Sequence, residues 1–405
     1  MNRFLVASLL TLSLVYVGCA APYVQAQREF FKGNPQKAEE TLNPVYEKEV
    51  AKDNKDKNLF LWDMGVYRFF QGDFVNSTDD FHKSVTDVEE IDDAGETVGK
   101  MFTSASSQKY VGDPVEISLA YFYLGLSYYM NGNYQNSAIA FRRSIEEDLS
   151  KDESRHGDLA VVNFFLGECL KKLGRKTEAV VGYKRAIEFS ELFLPAYAAL
   201  YKLNASAGDI LEQKMLGDKI VELGGDEYFA SLQSDNDEQG MLVLLMVGKA
   251  SKVKADAFLG SFRVRQELNY KPHGYSMAIN ANTSSNKLFL ADNLHDDFKD
   301  QGGIGDEAKK QATRAVVAKG MSMIPIIGLF APKTSADIRY WPTLASKYYI
   351  AYLPLDAGTY SVSISAFDKK GNRIPEYDLS ADDVVVTEAK KTTMIVSSYG
   401  SIITR

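Results

Sequence analysis

The chain has 405 residues, of which 45% are hydrophobic, and a formal net charge of −8. That is enough apolar material for two or three domains with real cores, and the acidic balance argues against nucleic acid as a partner. Two cysteines, Cys19 and Cys169, exclude a disulfide-stapled scaffold, so stability must come from packing.

A short basic start, Met1-Asn2-Arg3, leads into the apolar run Phe4 to Val17, which closes on Gly18-Cys19-Ala20-Ala21. The run is too short to span a membrane stably and reads as a secretory signal over residues 1–18. The junction resembles a bacterial lipoprotein signal, with Tyr16 standing where that motif prefers an aliphatic residue. The resemblance implies that Cys19 becomes the acylated first residue, and that Ala20 after it favours the outer membrane. Cleavage would take the charge to −9, because Arg3 is the one charged residue lost. An ordinary signal peptide or an uncleaved anchor helix is the competing reading.

From Tyr23 to about Leu223, within an expected domain of residues 19–235, apolar residues recur at helical spacing, with Gly or Asn-Gly at the breaks. One pattern repeats three times: Gly65, Gly72, Phe74, Ser77, Phe81, Ser84; Gly125, Gly132, Tyr134, Ser137, Phe141, Ser144; and Gly167, Gly174, Ala179, Tyr183, Ala186. Small residues let two antiparallel helices approach, the second glycine ends the first helix, and the aromatic plugs the seam. The pattern resembles the tetratricopeptide (TPR) repeat, a scaffold for holding partners. The copies are irregularly spaced, so segments are inserted between units. Partial pairs around Gly33-Ala38-Leu42 and around Gly208 are expected to cap the stack.

The longest insertion, Val85 to Pro114, holds Glu89-Glu90-Ile91-Asp92-Asp93, read as a solvated face. It ends in Tyr110-Val111-Gly112-Asp113-Pro114-Val115-Glu116. This segment, the repeat after it and the distant Asp337-Ile338-Arg339-Tyr340-Trp341 together resemble a family of bacterial TPR-containing lipoproteins whose molecular role is undefined. The resemblance implies a compartment and an architecture, but no chemistry.

After Gly240 the texture changes, and residues 236–340 read as a mixed α/β segment. Met241 to Val247 is a continuous apolar run of strand length, with Ser276 to Ala281 and Lys287 to Leu290 as further short strands. Asp306 to Met323 reads as a helix running into an apolar stretch, where Lys319 and Pro325 argue against a membrane span. Residues 341–405 read as a β-sandwich-like module: Thr359 to Ser365 alternates strictly, Asp368 to Asn372 supplies a turn, and Val384 to Val386 and Thr393 to Val396 offer further strands. The expected fold is therefore a multidomain α + β chain, a helical solenoid followed by these two segments.

Catalytic signals are sparse. The four histidines, His82, His156, His273 and His295, fall in no metalloprotease or nucleophile-elbow motif. Gly302-Gly303-Ile304-Gly305 reads as a connection rather than an anion cradle. Asp292, His295, Asp296 and Asp300 would share one helix face and could suit a divalent ion, although acidic faces are ordinarily just hydrated; no metal, cofactor or catalytic residue is assigned.

The TPR resemblance instead implies ligand contacts on the first helix of each pair. These are Leu59, Trp62, Val66, Phe69 and Phe70 in the first copy, and Leu119, Phe122, Leu126, Tyr129 and Met130 in the second. In the third they are Val161, Phe164, Glu168, Lys171 and Lys172. The first two copies lack the Lys, Arg and Asn of a carboxylate clamp and suit an amphipathic helix or hydrophobic peptide. Alternatively, the chain's own segments fill the groove. The sequence thus reads as a non-enzymatic, lipid-anchored envelope scaffold for another envelope protein or peptide. A hydrolase or carbohydrate-binding protein with its site in residues 240–340 is the alternative, and a secreted adhesive module a third.

Overall fold

The computed structural model describes residues 20–93, 108–148, 156–208, 210–233, 239–255, 263–280, 286–300, 337–388 and 390–405. The signal, Cys19, Gly302–Gly305 and the helix expected over Asp306–Met323 lie outside them.

Ten helices form five antiparallel pairs: α1 (Ala20–Phe30) with α2 (Pro35–Ala51), α3 (Lys57–Phe69) with α4 (Phe74–Asp93), α5 (Pro114–Met130) with α6 (Tyr134–Glu147), α7 (Ala160–Lys172) with α8 (Lys176–Phe189), and α9 (Leu194–Ala207) with α10 (Ile210–Gln233). Each pair packs on the next, so the first half of the chain is a TPR-like solenoid. The repeated residues account for the pairing. A Cβ added at Gly65 would lie 2.7 Å from the Phe81 ring, at Gly125 2.5 Å from Phe141, and at Gly167 2.7 Å from Tyr183. Ser77 and Ser137 donate to the carbonyls of Gly65 and Gly125 at 2.9 and 2.7 Å, fastening the second helix to the first where no side chain intervenes. The irregular spacing has a plain cause: α4 runs for 20 residues, and a strap over residues 108–113 leads back to α5.

Among the described residues of the second half, eight strands form one sheet that joins the two segments expected to be separate. Its strands are β1 (Gly240–Val247), β4 (Gly274–Ile279), β5 (Asn286–Asn293), β6 (Lys347–Leu353), β7 (Gly358–Phe367), β8 (Leu379–Val386), β9 (Lys391–Ser397) and β10 (Ile402–Thr404), in the order β10-β9-β1-β6-β5-β4-β7-β8. A separate hairpin pairs β2 (Lys252–Ala255) with β3 (Arg263–Gln266), and α11 (Leu294–Asp300) follows β5. The expected boundary at residue 340 does not divide the structure, because β1, β4 and β5 pair with strands from beyond it. Nor is this a sandwich: the sheet curls until it nearly closes, β8 approaching β9, with the Thr392 hydroxyl donating to the Val385 carbonyl at 2.9 Å.

The apolar run of β1 follows from this shape. Met241, Val243, Leu245 and Val247 point into the curled sheet with Tyr275, Met277, Tyr349, Ile364 and Met394. Leu242, Leu244 and Met246 point outward into the solenoid core, joined by Tyr348, Ile350 and Tyr352 of β6 and Ile395 of β9. A strand buried on both faces needs no polar alternation.

Gly125→Leu forces a branched side chain into the Phe141 ring and is expected to cost about 1–3 kcal/mol by overpacking. Denaturant unfolding of the variant measures it, and an unchanged midpoint would show that the helix pairs are not set by this seam.

Candidate functional site

The concave wall of the solenoid is built by α3, α5 and α7. Leu59, Trp62, Val66, Phe69, Phe70, Leu119, Phe122, Leu126, Tyr129 and Met130 all lie on these first helices, and none is more than 6% exposed. Of the two readings the sequence left open, an exposed groove and one covered by the chain's own segments, the structure has the second. The occupant of the groove is the outer face of the sheet: Phe122 meets Tyr348 edge-on at 5.8 Å, the Tyr123 hydroxyl lies 3.4 Å from the Met246 sulfur, and the Tyr129 hydroxyl is 3.5 Å from the Thr393 hydroxyl. Both surfaces are apolar and both gain by leaving water, at roughly 25 cal/mol per Å².

The contact runs the length of the solenoid. At its start Phe31 stacks edge-on against Tyr399 at 4.9 Å, and the Lys249 ammonium sits 3.4 Å from the Phe31 ring centre. At its end the Tyr228 hydroxyl donates to the Tyr352 carbonyl at 3.0 Å. Glu168, one of the third-copy residues, receives Lys391 at 2.6 Å and Tyr183 at 2.8 Å. Burial opposes its ionisation, but Lys391, with Lys171 nearby, outweighs that and holds the carboxyl below its usual range.

Two segments conspicuous in the sequence meet here. Asp113 and Glu116 close a capping box on α5. The Glu116 carboxylate accepts from the Tyr110 hydroxyl at 2.6 Å, the Asp113 amide at 3.0 Å and the Trp341 amide at 2.9 Å. Arg265 of β3 pairs with Asp113 and lies 3.4 Å from Glu116, its guanidinium over the Phe298 ring. Trp341 packs 4.9 Å from Trp62 and donates through its ring nitrogen to Thr343, which donates in turn to Asp63 at 2.5 Å. Gly112 passes so close to Trp62 that an added Cβ would lie 2.6 Å from the indole, and its φ of +87° suits glycine alone.

Asp292 is not part of a helical acidic face. It stands on β5 beside a register shift that follows Leu290, and its carboxylate caps the N-terminus of α7, accepting from the amides of Ala160 at 2.8 Å and Val161 at 2.7 Å. His295 turns instead to Ser251, with Nδ1 3.0 Å from the hydroxyl and Nε2 3.4 Å from the Glu267 carboxylate. Asp292 thus points away from the metal grouping considered above, and among the described residues no three His, Cys, Asp or Glu side chains are placed to hold an ion. His82, on α4, and His273, just before β4, are exposed. A cleft of about 140 Å³ lies between α9–α10 and the β5–β6 strands; Leu194, Leu223, Tyr228, Phe289 and Tyr352 line it, with no histidine or serine.

Sequence reasoning missed Glu116, Arg265, Arg339 and Asp292 as organising residues. The capping-box spacing of Asp113 and Glu116 was a usable signal for one of them. Nothing local in the sequence announces that Asp292 caps a helix more than a hundred residues earlier.

No family model matches the chain, and no curated protein matches it. Among solved structures it is similar to MamA (17% identity, 49% of this chain and 92% of that one, TM-score 0.36), including MamA of Desulfovibrio magneticus RS-1 (12%, 54% and 97%, 0.36). It is also similar to YrrB, described as a TPR protein with an unusual peptide-binding site (14%, 52% and 88%, 0.36). These likenesses span about half of the chain.

Burial pushes the Asp63 carboxyl up to about 6, against the pull of Thr343 and Gln27, and that of Asp292 up to about 7, against its two amide donors. An unfolded aspartate titrates near 3.9, so between about pH 4 and 7 the folded chain binds more protons than the unfolded one. Stability contributed by these groups is therefore greatest near pH 4 and declines as pH rises through 7. Unfolding free energy measured from pH 4 to 8 is expected to fall less steeply in Asp292→Asn, by at least about 1 kcal/mol over that range; an unaltered pH profile would contradict the assignment.

Proposed function

We propose that the chain is a non-enzymatic, lipid-anchored scaffold of a bacterial cell envelope, held to the membrane through Cys19 and serving another envelope protein or peptide. What supports the scaffold part of this reading is the concave wall, whose aromatic and carboxylate side chains pack on the β module. Aromatic rings, a capped carboxylate and the Glu168–Lys391 pair recognise backbone and side chains of the β module. Such a surface is built for protein recognition, with rings supplying area and carboxylates fixing register. Cys19→Ser is expected to release the mature chain from the membrane fraction, with loss of an acylated N-terminal peptide by mass spectrometry. Retention of that variant with an uncleaved signal would make the hydrophobic run the anchor and remove the lipoprotein reading.

One arrangement favours the alternative of an envelope hydrolase sited in residues 240–340: the Ser251–His295–Glu267 relay. Ser251 is only 3% exposed. A nucleophile must reach the atom it attacks, so burial counts against it. A fluorophosphonate probe is expected to leave Ser251 unlabelled in the folded chain. Labelling that disappears in Ser251→Ala would establish the hydrolase instead.

A further inference from the structure

We infer that the cleft between α9–α10 and the β5–β6 strands binds a small monocarboxylic acid whose apolar part is a single ring or a branched chain of that size. The inference goes beyond the scaffold reading and does not depend on it.

The cleft is made where the last helix of the solenoid breaks. Gly225 leaves the helical conformation, with φ of 81° and ψ of 168°, and α10 kinks there. The turn after the kink carries Tyr228 onto the sheet, where its hydroxyl donates to the Tyr352 carbonyl. Just before it Gly224 passes so close to α9 that an added Cβ would lie 2.8 Å from the Leu194 side chain. Beside these two contacts helix and sheet leave a hollow of about 140 Å³, walled by Leu194, Pro195, Leu223, Tyr228, Phe289 and Tyr352. An apolar cavity of about 150 Å³ stays dry and takes up benzene, so this volume admits one ring and excludes two.

The polar lining decides what the rest of the ligand carries. Asn286 and Lys287 open β5 and border the cleft, and no aspartate or glutamate lines it. Lys287 is exposed and Asn286 half-buried, so the two mark its solvent side. Among the described residues no carboxylate pairs with Lys287 and no hydrogen bond engages the Asn286 side chain; the ammonium lies 5.4 Å from the centre of the Phe289 ring. Both side chains offer N–H donors, and a carboxylate has two oxygens to accept from them. An uncompensated cation beside an apolar hollow selects an anion with an apolar body, and it does so in a chain whose net charge of −8 repels anions elsewhere.

The test titrates phenylacetate into the full mature chain and reads saturation transfer from protein to ring protons in NMR spectra. Binding is expected to saturate with a dissociation constant of about 1 mM or below. Toluene is expected to give transfer as well, 2-phenylethylamine to bind at least about tenfold more weakly than phenylacetate, and 1-naphthylacetate not to bind. Lys287→Gln, at an exposed position, is expected to weaken phenylacetate by about three- to tenfold and to leave toluene unchanged. Leu223→Trp fills the hollow and is expected to abolish both; if that variant does not melt cooperatively, the Lys287→Gln comparison decides alone. No saturation by about 10 mM phenylacetate, binding of 1-naphthylacetate as tight as that of phenylacetate, or equal losses for acid and hydrocarbon in Lys287→Gln would overturn the inference. A tripeptide ending in phenylalanine that binds more tightly than phenylacetate would overturn it in favour of a peptide terminus. None of these readouts depends on the lipid anchor or on a protein partner, so the inference fails or stands apart from the envelope scaffold reading.

Discussion

The structure depends on one contact: the outer face of β1, β6 and β9 laid into the concave wall of the solenoid. Without it Leu242, Leu244, Met246, Tyr348, Ile350 and Tyr352 would present a broad apolar sheet face to water, and Trp62, Phe69, Phe122 and Tyr129 would do the same from the other side. Each such side chain is worth about 1.5–3 kcal/mol when buried. Neither half has another surface on which to hide them, so solenoid and sheet are stable together. Exposed apolar patches of that size are rare on soluble monomers.

Apolar burial is non-directional and does not decide how the two halves are aligned. The polar contacts do that. Asp292 meets the start of α7, Glu116 takes the Trp341 amide, and Lys391 meets Glu168, so a one-residue slip of the sheet would strand buried carboxylates without partners. Leaving such a charge unpaired costs far more than a lost surface pair. Two buried carboxylates at the contact, Asp292 and Asp63, are raised because burial opposes their ionisation, which makes the contact responsive to acidity.

Much of the helical half was legible in the sequence. The Gly65–Phe81, Gly125–Phe141 and Gly167–Tyr183 spacings report a local seam, closed within one helix pair, and local geometry leaves a local pattern. The strands were legible singly, but their union was not: β1 pairs with β6 across a hundred residues, and periodicity carries no information about partners at that distance. The positions expected to face a ligand in the first two copies are buried on α3 and α5 and at the end of α3, and a row of apolar residues reads the same whether a partner or the chain itself covers it. The two motifs around Asp113 and Trp341 stood out in the sequence for reasons it could not supply. In the fold they touch, and their shared carboxylate, Glu116, is the reason they belong together.

Both tryptophans of the chain, Trp62 and Trp341, lie at this contact, fully buried and 4.9 Å apart. Acrylamide quenching of their emission therefore reports the filled groove directly. Blue-shifted emission that resists quenching until the whole chain unfolds in one transition is the result that a solenoid and sheet locked into one body require. Quenching in the native state, or release of the tryptophans in a transition earlier than loss of helix, would show the groove open and the two halves separate.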